Sequence, residues 1–491
     1  MIRLARAKPI VLAVIALSIC IIYLYYTPNK EAPAPKIPDR IIDHPLVDRQ
    51  MEFWSAFHPI LNLHNPFCPP STDKIGVGAL AFDAKNEIPR PDLLQLTEEC
   101  EWAMTSSHSS FIQDIRSAKD DLKPVHTAGT RGLVSAAGRE YLPVFVASLR
   151  MLRRTGSTLP VELYMHDATE YEKKICDEVL PALNAQCFVL SDVLETQIEQ
   201  QFQIKVFAIL LSSFEEVVWM DADCFPLFKP EELLDSDPFN STGLVIWPDF
   251  WYSSTAPIYY KVSNQEVPAM IARQSSETGF ILVSKKSHFL SLLLSAYYNY
   301  YGPSHYYRLF TQGAPGEGDK ETFLQAASVM GEPFYTVSES VQRIGHSRGK
   351  ENLVGFGMAQ SDPREDYALT QQGKWRVKDP SIAPAPRMFF IHANYPKFNV
   401  GTGILNPNRD SSTATTNTDG SFGRIWTEPA DAIRRFGWDA EKAYWEEAKW
   451  VTCNFPFDFK TWEDKNDLCD QVDEYYEYVF AQPHDDDPQF T

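Results

Sequence analysis

Glu216-Val217-Val218-Trp219-Met220-Asp221-Ala222-Asp223 is an apolar run of strand length that ends in two carboxylates one residue apart, after which Cys224-Phe225-Pro226-Leu227 leads the chain away. Such a run predicts a buried strand. A buried strand that ends in Asp-x-Asp brings acid groups to the edge of a sheet, where open α/β sheets place their ligands. Carboxylates at that edge suit a hard divalent cation that carries substrate phosphates. Taken alone, the pair reads equally well as a strand end and turn, so the flanking sequence decides.

Upstream, the pattern alternates. Arg131 to Ala136 is a predicted strand, Glu140 to Arg154 a helix, Val161 to Met165 a strand and Glu170 to Leu180 a helix. Cys187 to Leu190 is the next strand, Gln203 to Phe214 a helix and Val217 to Met220 the strand that ends in the acidic pair. Strands alternating with helices of this length predict βαβ units and a parallel, Rossmann-like half. Downstream the order is mixed. Strands are predicted at Gly243 to Trp247 and Gly279 to Val283, then helices from Ser287 to Tyr301 and Lys320 to Met330, then strands at Pro333 to Val337, Gly355 to Gln360 and Arg387 to His392. This mixed-sheet half is where an acceptor site is expected. The loop Asn406 to Gly423 is too polar to pack, and a helix over Pro429 to Lys449 precedes a tail ending in His484-Asp485-Asp486-Asp487.

At 491 residues with 44% hydrophobic and 13% aromatic residues the composition is globular. The net charge of −20 leaves no basic excess to neutralise nucleic-acid phosphates, which excludes a general nucleic-acid binder. A nucleoside diphosphate handled by so acidic a chain calls for a bridging metal. Ile10 to Tyr26 is uncharged and mostly apolar, follows Arg3, Arg6 and Lys8, and ends in tyrosines without a small-residue cleavage site. This pattern predicts a transmembrane signal anchor with a cytosolic tail over 1–9 and the rest of the chain across the membrane. A proline-rich stem (27–50), a helical region (51–125) that packs as a bracket, a catalytic domain (126–400) and a C-terminal extension (401–491) follow. Cys176 with Cys187, Cys453 with Cys469 and Cys68 with Cys100 are the expected disulfides, which leaves Cys224 free. Asn240-Ser241-Thr242 is an N-glycosylation sequon.

Several segments now carry a resemblance: Gly132-Leu133-Val134-Ser135-Ala136-Ala137-Gly138, Lys205 to Asp223, Trp247-Pro248-Asp249, Glu277-Thr278-Gly279, Gly318-Asp319-Lys320-Glu321-Thr322-Phe323, and Phe389 to Lys397. From about Gly129 to Asn399 the chain resembles the fungal α-mannosyltransferases of the Mnn1/Mnn2 type (glycosyltransferase family 71). That resemblance implies the GT-A glycosyltransferase fold, a Golgi membrane location as a single-pass type II protein, and a lumenal catalytic domain. It also implies GDP-mannose as donor, Mn²⁺ as cofactor and a mannosylated glycan as acceptor, and it leaves room for a place in a Golgi glycosyltransferase complex.

Position by position, Asp221, Asp223 and His392 are the expected metal set. Asp223 is the direct ligand, while Asp221 holds the donor's ribose or a metal-bound water or itself coordinates. His392 follows an apolar strand and resembles the C-terminal histidine of related enzymes, imidazole being an acceptable Mn²⁺ ligand. Gly132, Lys205, Trp247, Asp249 and Lys397 are the expected donor-binding residues. Gly132 would allow close backbone approach, Lys205 and Lys397 would meet the donor as point charges, and Trp247 and Asp249 would stack on and hydrogen-bond a sugar. Asp319, Glu321 and Glu277 are the expected catalytic carboxylates, Asp319 orienting the donor sugar and Glu277 facing the acceptor. The expected reaction is retaining transfer, with an α-1,2 linkage favoured over α-1,3. The alternatives are a GT-A enzyme using a UDP-sugar and a catalytically silent glycan-binding subunit.

Overall fold

The expected central strand forms over Phe214–Met220, and its last four residues are buried. Val218 and Met220 enter one hydrophobic core while Val217 and Trp219 enter another, as alternate side chains of a strand covered on both faces must. Complete burial of each valine contributes about 1.5–3 kcal/mol. The computed structural model describes residues 44–69, 76–194, 198, 201–314, 316, 318–347, 353–402, 404–405, 414–482, 488 and 490.

In chain order the strands are β1 (Thr127–Ala136), β2 (Val161–Met165), β3 (Ala185–Val189), β4 (Phe214–Met220), β5 (Cys224–Pro226), β6 (Leu244–Tyr252), β7 (Gln274–Ser284), β8 (Tyr335–Thr336), β9 (Gln342–Ser347), β10 (Leu353–Ser361) and β11 (Met388–His392). Seven of them form a mixed sheet in the order β3-β2-β1-β4-β7-β6-β8. The first four are parallel, as the βαβ pattern requires, and β7 runs antiparallel to both β4 and β6. The remaining four strands make an antiparallel sheet in the order β5-β11-β10-β9. The chain passes from the first sheet to the second through Asp221, Ala222 and Asp223 alone, and Cys224 enters the second sheet opposite His392.

Several elements differ from expectation. The helix expected over Glu170 to Leu180 forms over 173–182 and is widened to one π-helical turn at Ile175–Val179. That over Pro429 to Lys449 is two, Ala430–Arg434 and Ala440–Asn454. Gly437 at φ 77° ends the first path, and Asp439 caps the second by accepting the Lys442 amide at 3.0 Å. Within the loop expected not to pack, Thr415 and Thr416 are buried, and Thr415 Oγ1 donates to Ile404 O at 2.7 Å. Thr415 satisfies its hydroxyl on backbone, which offsets the cost of burying it.

The N-terminal region packs as a bracket. Helix Glu98–Ala118 stacks Phe111 on Tyr297 at 4.3 Å, and Tyr297 Oη donates to His64 O at 2.9 Å. Residues 44–50, expected to close the stem, are the first turns of helix His44–Leu63, with Leu46 and Gln50 buried. At the C-terminal side, Glu447 pairs with Arg150 and Arg154. Disulfides join Cys68 to Cys100, Cys176 to Cys187 and Cys453 to Cys469, and Cys224 is free and buried. The expected anchor at 10–26, the stem to 43 and the acidic tail at 483–487 lie outside the described residues. Among the described residues no helix is long and apolar enough to cross a membrane.

Gly132 corrects an expectation. It sits inside β1 opposite Val217, and a Cβ placed on it would lie 2.2 Å from the Phe214 ring. Its lack of a side chain makes room for a core ring and not for a donor. Gly132→Ala is expected to destabilise the fold by about 1–3 kcal/mol, as overpacking does, in chemical denaturation, with nucleotide affinity per folded molecule unchanged.

Candidate active site

The carboxyl ends of β1 and β4, the amino-terminal part of β7 and the end of β11 surround a cavity of about 510 Å³. The three-residue crossing is tied to both sheets by backbone bonds. Asp221 N donates to Gly279 O at 2.9 Å, Cys224 N to Asp221 O at 3.0 Å, and Ala393 N to Asp223 O at 2.9 Å. Residues two positions apart would share one face of an extended strand, but the crossing is a turn closed by the Cys224 to Asp221 bond, and the two carboxylates meet different partners. Asp221 Oδ1 accepts from Trp219 Nε1 at 2.7 Å and stands 3.2 Å from Lys205 Nζ. Asp223 Oδ1 stands 3.2 Å from His392 Nε2, and its Oδ2 pairs with Lys397.

Lys205 organises one group of charges. Buried on its helix, it donates to Thr278 O at 2.6 Å and Thr278 Oγ1 at 3.0 Å, and lies 3.3 Å from Asp319 Oδ2. Burial opposes its charge, yet Asp221, Asp319 and Glu277 hold its pKa well above the ordinary lysine value. Burial pushes the Asp319 carboxyl up to about 6, against the pull of Lys205. The other group surrounds His392, whose Nδ1 lies 3.3 Å from Glu277 Oε1, itself accepting the Gly279 amide at 2.6 Å. Burial would raise Glu277, but His392, Lys205 and that amide hold it down at about 2. Asp223 likewise resists burial and stays well below the carboxylate range because His392 and Lys397 flank it.

The donor atoms fit a divalent cation in part. Asp223, Cys224 and His392 bring one candidate ligand atom each within 4.8 Å of one another. A carboxylate oxygen and an imidazole nitrogen suit Mn²⁺, whereas a thiol is a soft donor. Burial also pushes the Cys224 thiol up, which keeps it protonated. Asp221 stands outside this group because Lys205 and Trp219 engage it. Asp223 and His392 are therefore the first pair to hold a metal, and Lys397 is the cation that now neutralises Asp223.

Lys205, Asp221, Asp223, Asp249, Glu277, Asp319, His392 and Lys397 all line the cavity. Asp249 does so through an ion pair with Lys320 at 2.9 Å. Trp247 and Glu321 do not line it. Trp247 is 1% exposed, donates from Nε1 to Ser361 O at 2.9 Å and packs edge-on to Phe390, so it is core and no sugar platform of this cavity. Glu321 is enclosed by Arg273 Nη2 at 2.7 Å, the Ser276 amide at 2.8 Å and Ser275 Oγ at 3.1 Å, and it shapes the start of β7 without reaching the cavity. His166, Tyr141 and Asn394 line the cavity without having been singled out. His166 follows β2 directly, so the rule that ligands bind beyond carboxyl strand ends was the signal for it.

A mixed α/β sheet whose central strand ends in paired carboxylates, flanked by histidine and lysines at one cavity, defines the site of a glycosyltransferase. A mannosyltransferase family profile matches residues 130–273 and 265–362. Alpha-1,2-mannosyltransferase MNN21 of Candida albicans is 33% identical over 453 residues, covering 79% of this chain and 67% of that protein. Alpha-1,2-mannosyltransferase MNN2 of Saccharomyces cerevisiae is 31% identical over 313 residues, covering 56% of this chain and 52% of that protein, so the chain spans about half its length. The glycosyltransferase GlyE of Streptococcus pneumoniae matches in structure at 12% identity and a TM-score of 0.33, over 71% of this chain and 63% of that one, too remote to bear on the site. The chain belongs to the fungal α-1,2-mannosyltransferase family, and it is an enzyme of the mannosyltransferase class.

Gly279 is a cradle for His392, Cys224 and Glu277. A Cβ there would lie 2.8 Å from His392 Nδ1, 3.0 Å from Cys224 Sγ and 3.0 Å from Glu277 Oε1. Gly279→Ala is expected to displace His392 and weaken Mn²⁺ binding about 10- to 100-fold, the range for disturbed ligand support. Calorimetric titration of Mn²⁺ in the presence of nucleoside diphosphate, with the unfolding curve as control, checks it.

Proposed function

We propose that this chain transfers mannose from GDP-mannose to a mannose residue of a fungal glycan, with Mn²⁺ as the cation, on a GT-A catalytic unit that makes α-1,2 linkages with retention. The observation that carries this reading is Asp223, set by the sheet crossing between His392 and Lys397 at the cavity that Lys205, Asp221 and Asp319 also line. Mannose as the transferred sugar rests on the family, and the linkage on the names its relatives carry. The type II Golgi location rests on the apolar run 10–26 and its basic flank, and three disulfides suit an oxidising lumen.

Asp223 and His392 would hold the cation, and Asp221 the donor's ribose or a bound water. A divalent ion supplies Lewis-acid stabilisation of the charge that grows on the departing diphosphate. Lys397 exchanges its partner Asp223 for the diphosphate, and Lys205 holds Asp221 and Asp319 in place. Asp319 orients the sugar hydroxyls, and Glu277 fixes His392 at the acceptor side. The bond from the anomeric carbon to phosphate breaks while the acceptor oxygen bonds to the same face of that carbon. The acceptor's proton passes to the departing phosphate oxygen. This front-face path requires positioning and charge stabilisation from the protein.

Asp223→Asn is expected to lower kcat per folded molecule by at least about 10²–10³-fold, the scale for losing a main electrostatic element, with the unfolding curve measured alongside because His392 and Lys397 lose their counter-charge. Calorimetry with GDP-mannose and with UDP-sugars, each with and without Mn²⁺, tests the donor: metal-dependent binding of GDP-mannose is expected, and binding of a UDP-sugar instead overturns the donor assignment. Asp319 acts ionised, so its contribution is present above its pKa and lost as pH falls through about 6. The acid limb of the kcat/KM profile is expected near pH 6 and absent from the residual activity of Asp319→Asn.

A further inference from the structure

A second cavity, of about 410 Å³, lies beside the amino-terminal part of β7. Phe82, Phe334, Tyr335 and Trp375 contribute aromatic rings to its wall, and Ser276 and Ser338 contribute hydroxyls. Glu277, the residue after Ser276, lines the catalytic cavity. Gln274 to Ser276 line the second cavity and Glu277 and Thr278 the first, so this part of β7 lies between the two. Volume, aromatic wall and few polar groups are those of a small-molecule site.

The chemistry of the wall selects a neutral polyhydroxylated ligand. Trp375 is 45% exposed, although the next residue, Arg376, is half-buried and pinned to Glu339 at 3.0 Å. The loop is therefore held while nearly half of the Trp375 surface stays uncovered, an apolar face on which the C–H face of a pyranose packs. Ser276 Oγ is buried with no hydrogen-bond partner among the described residues. A ligand hydroxyl would satisfy it. No carboxylate is among the described lining residues, so a cation finds no ligands there. Arg273 is neutralised by Glu321 at 2.7 Å, which leaves the exposed Lys378 as the unneutralised positive charge at the rim.

We propose that this cavity is a carbohydrate-binding subsite that takes mannose units of the acceptor glycan beyond the residue being extended. The proposal rests on the reading of the protein as a mannosyltransferase. The full chain and its Trp375→Ala and Trp375→Phe variants are compared with methyl α-mannoside and with an α-linked mannohexaose as acceptors. Hexaose binding is followed separately by saturation-transfer NMR with neither donor nor metal present. Trp375→Ala is expected to raise the KM for the hexaose about 3- to 10-fold, the range for one aromatic contact, and to abolish the NMR signal. Both constants for methyl α-mannoside stay unchanged, and Trp375→Phe restores most of the loss. An unchanged hexaose KM, or equal rises for both acceptors, overturns the subsite. Should the wild-type chain transfer mannose to neither acceptor, the mannosyltransferase reading fails instead, and the NMR signal with its loss in Trp375→Ala still decides the subsite.

Discussion

Everything at the active site depends on the chain crossing between two sheets in three residues, two of which are aspartates. β4 and β5 are locked into different hydrogen-bonded ladders, so Asp221 and Asp223 cannot retreat to solvent without breaking one of them. Asp223 is 4% exposed, and a buried carboxylate is costly unless it is paired. The fold therefore brings cations to the seam: Lys205 from its helix, His392 from the strand that pairs with β5, and Lys397 from the segment after it. Their order of recruitment follows from backbone register, since His392 stands opposite Cys224 and follows Ile391, the partner of Phe225.

This arrangement stores electrostatic work for catalysis. Buried charges that already face one another need little reorganisation when a charged donor enters. The cost is met by large cores on both faces of the seven-stranded sheet, which include Leu133, Val218 and Phe280 on one side and Val134, Trp219 and Ile281 on the other. The N-terminal helices and the C-terminal helical pair contribute no carboxylate to the catalytic cavity. They cover the outer surfaces of helices 285–300 and 142–154 and so hold the sheet edges to which the site is attached.

The parallel half was legible because each of its strands is a short apolar run between helices, a pattern that burial on both faces imposes. Asp223 was legible for a related reason, a carboxylate at the end of an apolar run being conspicuous, whereas Lys205, His392 and Lys397 were read from the family motifs that contain them. Trp247 and Glu321 were misplaced because an aromatic beside Pro-Asp and an acid beside Asp319 have the composition of a sugar site, and only the contacts with Ser361 and Arg273 show them engaged elsewhere. Gly132 was misread in the same way, since a glycine on a first strand serves ligand and core alike until the Phe214 ring is placed over it.

Taken by itself, the sequence determined the class of fold, the strand that carries the acidic pair and the family, because these depend on periodicity, spacing and motif order along one chain, while the disulfide pairing it suggested was fixed only by the fold. The tertiary structure decided which carboxylate meets which cation, that Asp221 and Asp223 serve different partners, and that Ser276 and Glu277 open toward different cavities. Those outcomes depend on strand register and on residues from Lys205 to Lys397 meeting across the fold. Register follows from summed packing over both sheets, and no local stretch of sequence contains that sum.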